Sequence, residues 1–350
     1  MKLTTILSII LINIKHRLLF LFGRVDLIVP YKILIQTTND CNSRCDSCHI
    51  WKINKDKSLK EKEIQVAHYE NLFKSYGKDL YWISLSGGEV TLDSSIHEVI
   101  ELAHKHCKNL KMITFTTNGL LPDRALSIAE TIKKCGLDHF ITISLDGNEE
   151  LHDRIRGIPG NYEKAFKTFK LLKSKGFYTH FGITISDENH NFIRDEYDSY
   201  SESIKAVTFV NSGGIYNTDN TISRNGLLAS LGVILQKYKV SSLGDFWEKL
   251  YIQLSLKFVK EGQKRNIIPC SAGLSSLHIS PYGEVSPCMF LQSYSNIKDE
   301  GFLDRLLDKN NSSKRLAPYR GECQKCWMNC YAPHSMMLSP FKTLFQAFKK

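Results

Sequence analysis

The chain predicts an α/β fold: a parallel sheet curled into a partial (β/α)6, TIM-like barrel, followed by a small C-terminal domain rich in cysteine. Three observations carry that expectation. Apolar runs of strand length alternate with helix-length stretches through the first two thirds of the 350 residues. Such alternation marks βα units, whose right-handed crossovers give parallel strands. Short polar and glycine-bearing strings fall at the C-terminal ends of those runs, where parallel barrels place their chemistry. Of ten cysteines, three follow the first run closely and five lie in the last third of the chain. A hydrophobic content of 42% with 23% charged residues is ordinary for a globular protein.

Residues 1–30 form an apolar, basic segment. Ile6 to Ile14 is almost wholly apolar, Lys15-His16-Arg17 interrupts, and Leu18 to Phe22 resumes. A membrane-spanning helix needs about 20 predominantly apolar residues, so the interruption argues against one. No small-residue cleavage pattern follows, so a secretory signal is not expected. Residues 31–222 form the barrel domain, with strands near 32–37, 80–85, 111–116, 139–145, 178–185 and 206–210. Helices are expected near 58–75, 93–106, 123–135, 162–175 and 190–203, with a sixth after 222. Residues 223–265 read as a helical bridge without chemical signal. Residues 266–335 form the second domain, with a β-hairpin around Pro281-Tyr282-Gly283. In the tail, 336–350, Phe341, Leu344, Phe345 and Phe348 stand at helical spacing behind Pro340.

Charge is concentrated at the two ends. Lys2, Lys15, Arg17 and Arg24, with Lys325, Lys342, Lys349 and Lys350, supply most of the net +10, and residues 1–25 and 323–350 carry no acidic residue. A nucleic-acid groove would spread basic residues along the body of a domain, so no nucleic acid is expected. Basic, apolar ends suit an anionic membrane surface. The expected location is the cytoplasm, with peripheral attachment to the inner face of the membrane. The alternative is that both ends pack on the protein itself or on a twin subunit.

The first cysteine group reads Cys41-Asn-Ser-Arg-Cys45-Asp-Ser-Cys48, a Cys-x3-Cys-x2-Cys loop. Three thiolates can hold three irons of a cubane cluster and leave the fourth open, whereas structural zinc takes four ligands. A zinc site or unrelated thiols remain the alternatives. Ser86-Gly87-Gly88-Glu89 follows the second strand; its glycines allow close backbone approach, and its carboxylate suits a ligand ammonium. Thr116-Thr117-Asn118-Gly119 ends the third strand. Ile143-Ser144-Leu145-Asp146-Gly147 ends the fourth, before Leu151-His-Asp-Arg-Ile-Arg156-Gly157.

In this order the strings resemble the radical S-adenosylmethionine (SAM) enzymes over about residues 31–211. The resemblance implies that Cys41, Cys45 and Cys48 bind a 4Fe–4S cluster whose open iron is chelated by SAM. It implies that Ser86, Gly87, Gly88 and Glu89 receive the SAM amino group. Asn118, Ser144 and Asp146 would face its ribose or methionyl part, and Arg156 would pair with its carboxylate. Each of these has a plainer reading as a turn residue or a surface cation. Ser47 departs from the aromatic residue frequent before the third cysteine, which leaves adenine contact to His49, Ile50 or Trp51.

Residues 270–330 resemble the SPASM and twitch auxiliary-cluster domains. The resemblance rests on Cys270-Ser-Ala-Gly273, a Gly-x4-Cys element from Gly283 to Cys288, and Cys323-Gln-Lys-Cys326-Trp-Met-Asn-Cys330. A full SPASM domain usually has seven cysteines and two clusters. The five here imply one auxiliary 4Fe–4S cluster on Cys270, Cys288, Cys323 and Cys326, with Cys330 spare and able to replace one of them. Zinc on the same thiolates is the alternative. Cluster ligands require a reducing compartment. Cys107 and Cys135 fall outside any motif, as small core residues.

The function implied is reductive cleavage of SAM to a 5′-deoxyadenosyl radical, which abstracts hydrogen from an unidentified substrate. The electron comes from a donor such as a flavodoxin or ferredoxin. Dehydrogenation, cross-linking and sugar alteration all fit, and the membrane-leaning ends favour a lipid-linked or envelope-related substrate. The competing classes are a non-catalytic iron–sulfur redox or sensor protein and a peptide maturase.

Overall fold

The computed structural model describes residues 3–210, 216, 222–262, 267–321, 323 and 326–349. Lys2, Lys325 and Lys350 of the basic ends lie outside the described residues. Six strands run parallel as neighbours in chain order: β1 (Lys32–Gln36), β2 (Trp82–Ser86), β3 (Met112–Thr117), β4 (Ile141–Ser144), β5 (Thr179–Ile185) and β6 (Ile204–Phe209). Each lies within two residues of its expected bounds. The sheet does not stop at β1. There β7 (Ser276–Ile279) pairs in parallel, and β8 (Glu284–Ser286) and β9 (Ser295–Asn296) follow antiparallel. The order is therefore β6-β5-β4-β3-β2-β1-β7-β8-β9. The hairpin between β7 and β8 turns at Gly283, whose φ of +85° suits a residue without a Cβ.

Strand alternation divides the side chains. Ile33, Ile35, Ile83, Leu85, Ile113 and Phe115 face the surrounding helices and form the main core. Their alternates, Leu34, Gln36, Ser86, Thr116, Ser144 and Thr208, line a cavity inside the curled sheet. The period of two thus fixes both the core and the interior of the barrel.

The expected helix over 58–75 is two helices, Lys57–Lys60 and Val66–Tyr76. Asp56 starts the first by accepting from Ser58 N at 2.9 Å, and Gln65 opens the second in a reciprocal cap with His68. A helix over Glu149–Arg156 was not expected. Asn148 accepts from Leu151 N, two glutamates occupy the first turn, and Gly157 closes it at φ +63°. The bridge holds helices Arg224–Lys237 and Leu243–Lys260, and the tail helix is Pro340–Phe348.

Lys15-His16-Arg17 does not interrupt the N-terminal helix, which runs unbroken from Leu3 to Leu21. The argument from that triplet against a spanning helix therefore fails: Thr4–Leu21, at a mean hydropathy of 1.5, is long and apolar enough by length and composition. One face nevertheless closes the barrel floor. Thr5 donates to Asp138 Oδ2 at 2.7 Å, Asn13 donates to the Tyr31 hydroxyl at 3.1 Å, and Ile9 packs with Tyr31, Trp82 and Met112. His16 is buried there, and desolvation pushes its pKa down to about 4. The opposite face, including Leu7, Leu11, Ile14 and Leu18, is exposed.

Deleting residues 1–24 should cost about 3–6 kcal/mol through lost apolar burial and floor hydrogen bonds. The expected readouts are a lower unfolding midpoint and red-shifted tryptophan emission. Leu11→Gln, on the exposed face, should stay within about 0.5 kcal/mol of the parent.

Candidate functional site

The cysteine loop leaves the C-terminal end of β1 and runs backbone to backbone along the end of β2. Thr37 N donates to Ser86 O at 2.9 Å, Gly88 N to Thr38 O at 2.7 Å, and Glu89 N to Asp40 O at 2.7 Å. No side chain fits between these segments. A Cβ on Gly88 would lie 2.2 Å from Asp40 O, and one on Gly87, at φ +153°, 2.6 Å from Thr38 O. The two glycines thus seat the cysteine loop. On the loop's other side Arg44 N donates to Arg156 O at 2.8 Å, and Glu63 accepts from Asn39 N at 2.7 Å.

The residues expected to touch SAM fall into two sets. Ser86, Gly87, Ser144 and Arg156 line the cavity of about 220 Å3 with Cys45 and Cys48. Glu89, Asn118 and Asp146 are bonded into the frame beside it. Glu89 is buried, with Oε1 accepting from Thr91 N, Thr91 Oγ1 and Thr117 Oγ1, and Oε2 from Asn118 N. Oε1 thus takes three of these bonds and Oε2 one. Asn118 spends its amide on Asn42 Oδ1 and Ser43 Oγ, inside the cysteine loop, and its carbonyl on Leu120 N. Asp146 accepts from Thr184 N and holds Arg156 at 2.6 Å. Gly88 is a packing residue for the reason above. Of His49, Ile50 and Trp51, Ile50 lines the cavity, while Trp51 packs against the cations of Arg44, Lys52 and Lys55.

Arg156 also reaches Cys45, with Nη1 3.7 Å from Sγ, and its Nε has no partner among the described residues. The Asp146 carboxylate beside it holds its pKa above the ordinary value despite burial. Burial pushes the thiols of Cys41 and Cys48 up to about 12 and about 11 respectively, and raises Cys45 against the pull of Arg156. Such desolvated thiols ionise when a metal supplies the compensating charge. All three are free of disulfides, and two open onto the cavity. The donor set suits an iron–sulfur cluster.

Residues 35–198 match the radical SAM superfamily. Those residues carry that superfamily's domain. It is 23% identical over 324 residues to the antilisterial bacteriocin subtilosin biosynthesis protein AlbA of Bacillus subtilis, covering 86% of this chain and 68% of AlbA. It is 22% identical over 334 residues to an AdoMet-dependent heme synthase of Methanosarcina barkeri, covering 87% and 93%. Among solved structures, anSMEcpe with bound AdoMet and the Cp18Cys peptide shares the fold. The TM-score is 0.59 at 17% identity, covering 91% of this chain and 99% of that one.

The cysteine-bearing C-terminal part of this radical SAM protein is of the SPASM/twitch type that its sequence predicts. Burial raises the pKa values of Cys270, Cys288 and Cys326, and neighbouring thiols of the group, Cys323 among them, raise them further. Burial raises the pKa of Cys330, and the buried ammonium of Lys32 opposes that rise. Lys32 itself sits 4.2 Å over the Trp82 ring and contacts His334; burial pushes its pKa down to about 7. No three His, Cys, Asp or Glu side chains among the described residues converge tightly enough for a single metal ion.

Sequence reasoning missed the wall that this region contributes. His278 of β7, Met289 and Met328 line the same cavity as Cys45 and Cys48, with Thr184 and Thr208 from the barrel. Alternation along each strand carried the signal for Thr184, Thr208 and His278. The approach of β7 to β1 carried none.

Gly88→Ala should unseat the cysteine loop, so that anaerobically purified protein loses most of the iron bound by the N-terminal cysteines. Gly232→Ala, with open space around its Cβ, should retain it. Iron analysis of the two variants checks the contrast.

Proposed function

We propose that this protein is a radical SAM enzyme. It cleaves SAM at a 4Fe–4S cluster on Cys41, Cys45 and Cys48 and abstracts hydrogen from a substrate bound in the adjoining cavity. An auxiliary 4Fe–4S cluster sits on Cys270, Cys288, Cys323 and Cys326, with Cys330 a spare able to replace one of them. The observation that carries this reading is the shared cavity, which Cys45 and Cys48 line with Ser86, Ser144 and Arg156. When bound, the cluster supplies the electron that breaks a carbon–sulfur bond of SAM and so yields the radical that removes hydrogen.

The chain's own residues do the positioning. Arg156, oriented by Asp146, keeps positive charge beside Cys45, and its Nε has no hydrogen-bond partner among the described residues. The hydroxyls of Ser86 and Ser144 offer contacts to a polar cofactor. Leu34, Ile50, Phe209, Val210, Met289 and Met328 form the apolar part of the wall and exclude water from a reactive radical. A one-electron donor such as a flavodoxin or ferredoxin completes the cycle. AlbA serves bacteriocin biosynthesis and anSMEcpe holds a peptide, which favours a peptide over a lipid-linked substrate.

Reconstituted, dithionite-reduced protein should release 5′-deoxyadenosine and carry about eight irons per chain. Cys45→Ala should abolish release, and the triple alanine variant of Cys41, Cys45 and Cys48 should retain about four irons. A wild type that binds iron and SAM without cleaving SAM would overturn the enzyme reading in favour of a redox or sensor protein.

The exposed faces of both terminal helices support peripheral attachment to an anionic membrane. Leu11 is 65% exposed, and Phe341, Phe345 and Phe348 are 80%, 62% and 69% exposed. Lys15, Arg17 and Arg24 flank the first face, Lys342 and Lys349 the second. Basic residues add roughly 1 kcal/mol each near an anionic surface. Vesicles containing phosphatidylglycerol should float the protein, less so in high salt, and neutral vesicles should not. Combined Leu7→Gln, Leu11→Gln and Ile14→Gln should weaken flotation at an unchanged unfolding midpoint. Equal behaviour of this variant and the parent would rule out the N-terminal face as an anchor.

A further inference from the structure

Three polar side chains in the cavity wall each carry a buried atom with no hydrogen-bond partner among the described residues: His278 Nε2, Gln36 Oε1 and Thr208 Oγ1. What they would accept or donate follows from their other bonds. His278 stands on β7 opposite Ser286 on β8, with Nδ1 3.3 Å from Ser286 Oγ. Ser286 Oγ also lies 2.9 Å from the Cys288 carbonyl, which can only accept, so the single hydroxyl proton is spent there. Towards His278 the hydroxyl oxygen must therefore accept, and the imidazole proton sits on Nδ1. The ring is 3% exposed, and desolvation pushes its pKa down to about 4. Neutral and protonated at Nδ1, this residue of the cavity wall keeps a bare Nε2 lone pair with no partner among the described residues. Gln36 behaves alike: its amide donates to Asn39 Oδ1 at 2.7 Å, which leaves Oε1 as a second acceptor.

We propose that His278 and Gln36 form a substrate subsite that accepts hydrogen bonds from an amide N–H, and that His278 is a positioning residue for the substrate. The inference rests on the radical SAM reading only in taking the occupant to be substrate. A carboxylate or phosphate would set its lone pairs against those of Nε2 and Oε1, so this part of the wall selects against anions. Thr208, able to donate or accept, adapts to either side of an amide. The Nδ1–Ser286–Cys288 chain fixes the ring, so a group bound at Nε2 is held in register with the C-terminal cysteines.

The test uses the anaerobic holoenzyme with SAM and two matched probes, N-methylacetamide, which has an N–H, and N,N-dimethylacetamide, which has none. Saturation-transfer NMR should show N-methylacetamide about threefold to tenfold more strongly, the worth of one hydrogen bond. His278→Phe should reduce this preference, with Gln36 left as the remaining acceptor. His278→Gln, whose Oε1 stands in for Nε2, should restore the preference. Equal signals from the two amides on the wild type, or an undiminished preference in His278→Phe, would overturn the subsite. Loss of the preference on adding SAM would overturn it too, by giving the acceptors to the cofactor. Uncoupled SAM cleavage, measured on the same wild-type sample, separates the two claims. Its absence sinks the enzyme reading, whereas its presence without an amide preference sinks the subsite alone.

Discussion

From Thr37 to Asp40 the chain lies directly on the backbone of Ser86–Glu89, with carbonyl oxygens where any side chain at 87 or 88 would stand. The position of Cys41, and through it the whole cysteine loop, depends on that contact. The charged and polar groups nearby serve it. Glu89 collects four donors from the ends of β2 and β3, Asn118 ties β3 to the loop, and Glu63 holds the loop's outer side. Four hydrogen bonds offset part of the cost of burying the Glu89 carboxylate and hold it rigid. The site thus uses its acids for alignment and leaves hydroxyls, one guanidinium nitrogen and bare acceptors for ligands.

A second consequence of the architecture is that the barrel and the C-terminal cysteines share one sheet. Because β7 pairs with β1 in register from Lys32–Ser276 to Ile35–Ile279, its inward residue His278 enters the cavity beside Leu34. The hairpin turn at Gly283 then brings β8, and Cys288 just beyond it, back along the same edge. Both cysteine groups are therefore positioned by a single backbone ladder.

Much of this was legible beforehand. The alternation of apolar runs marked all six barrel strands, and the strings at their ends marked where the site lies. The bonds that Glu89, Asn118 and Asp146 make within the frame were not legible, because a sequence names a carboxylate or an amide but not its partners. The helix carrying Arg156 was missed since it spans only Glu149–Arg156, too short for periodicity, although its cap at Asn148 and its stop at Gly157 are both visible in the sequence. His278 was passed over because pairing between strands so distant in sequence leaves no local trace. The N-terminal helix was misread at Lys15-His16-Arg17, where a tertiary contact buries His16 and the long cationic side chains reach away from the floor.

The β1–β7 pairing also constrains how the protein is made. One edge of β1 stays bare until Ser276–Ile279 has been synthesised, which is most of the way along the chain. During that interval β1 presents unpaired N–H and C=O groups, and the cavity lacks the wall supplied by His278, Met289 and Met328. Closure is a late, long-range event, slow by the loop entropy that precedes it. A nascent chain halted before residue 276 would expose a sticky strand next to three reactive thiols. Timely assembly on the ribosome, by chaperone cover or by early cluster insertion, is thus a demand of this topology itself.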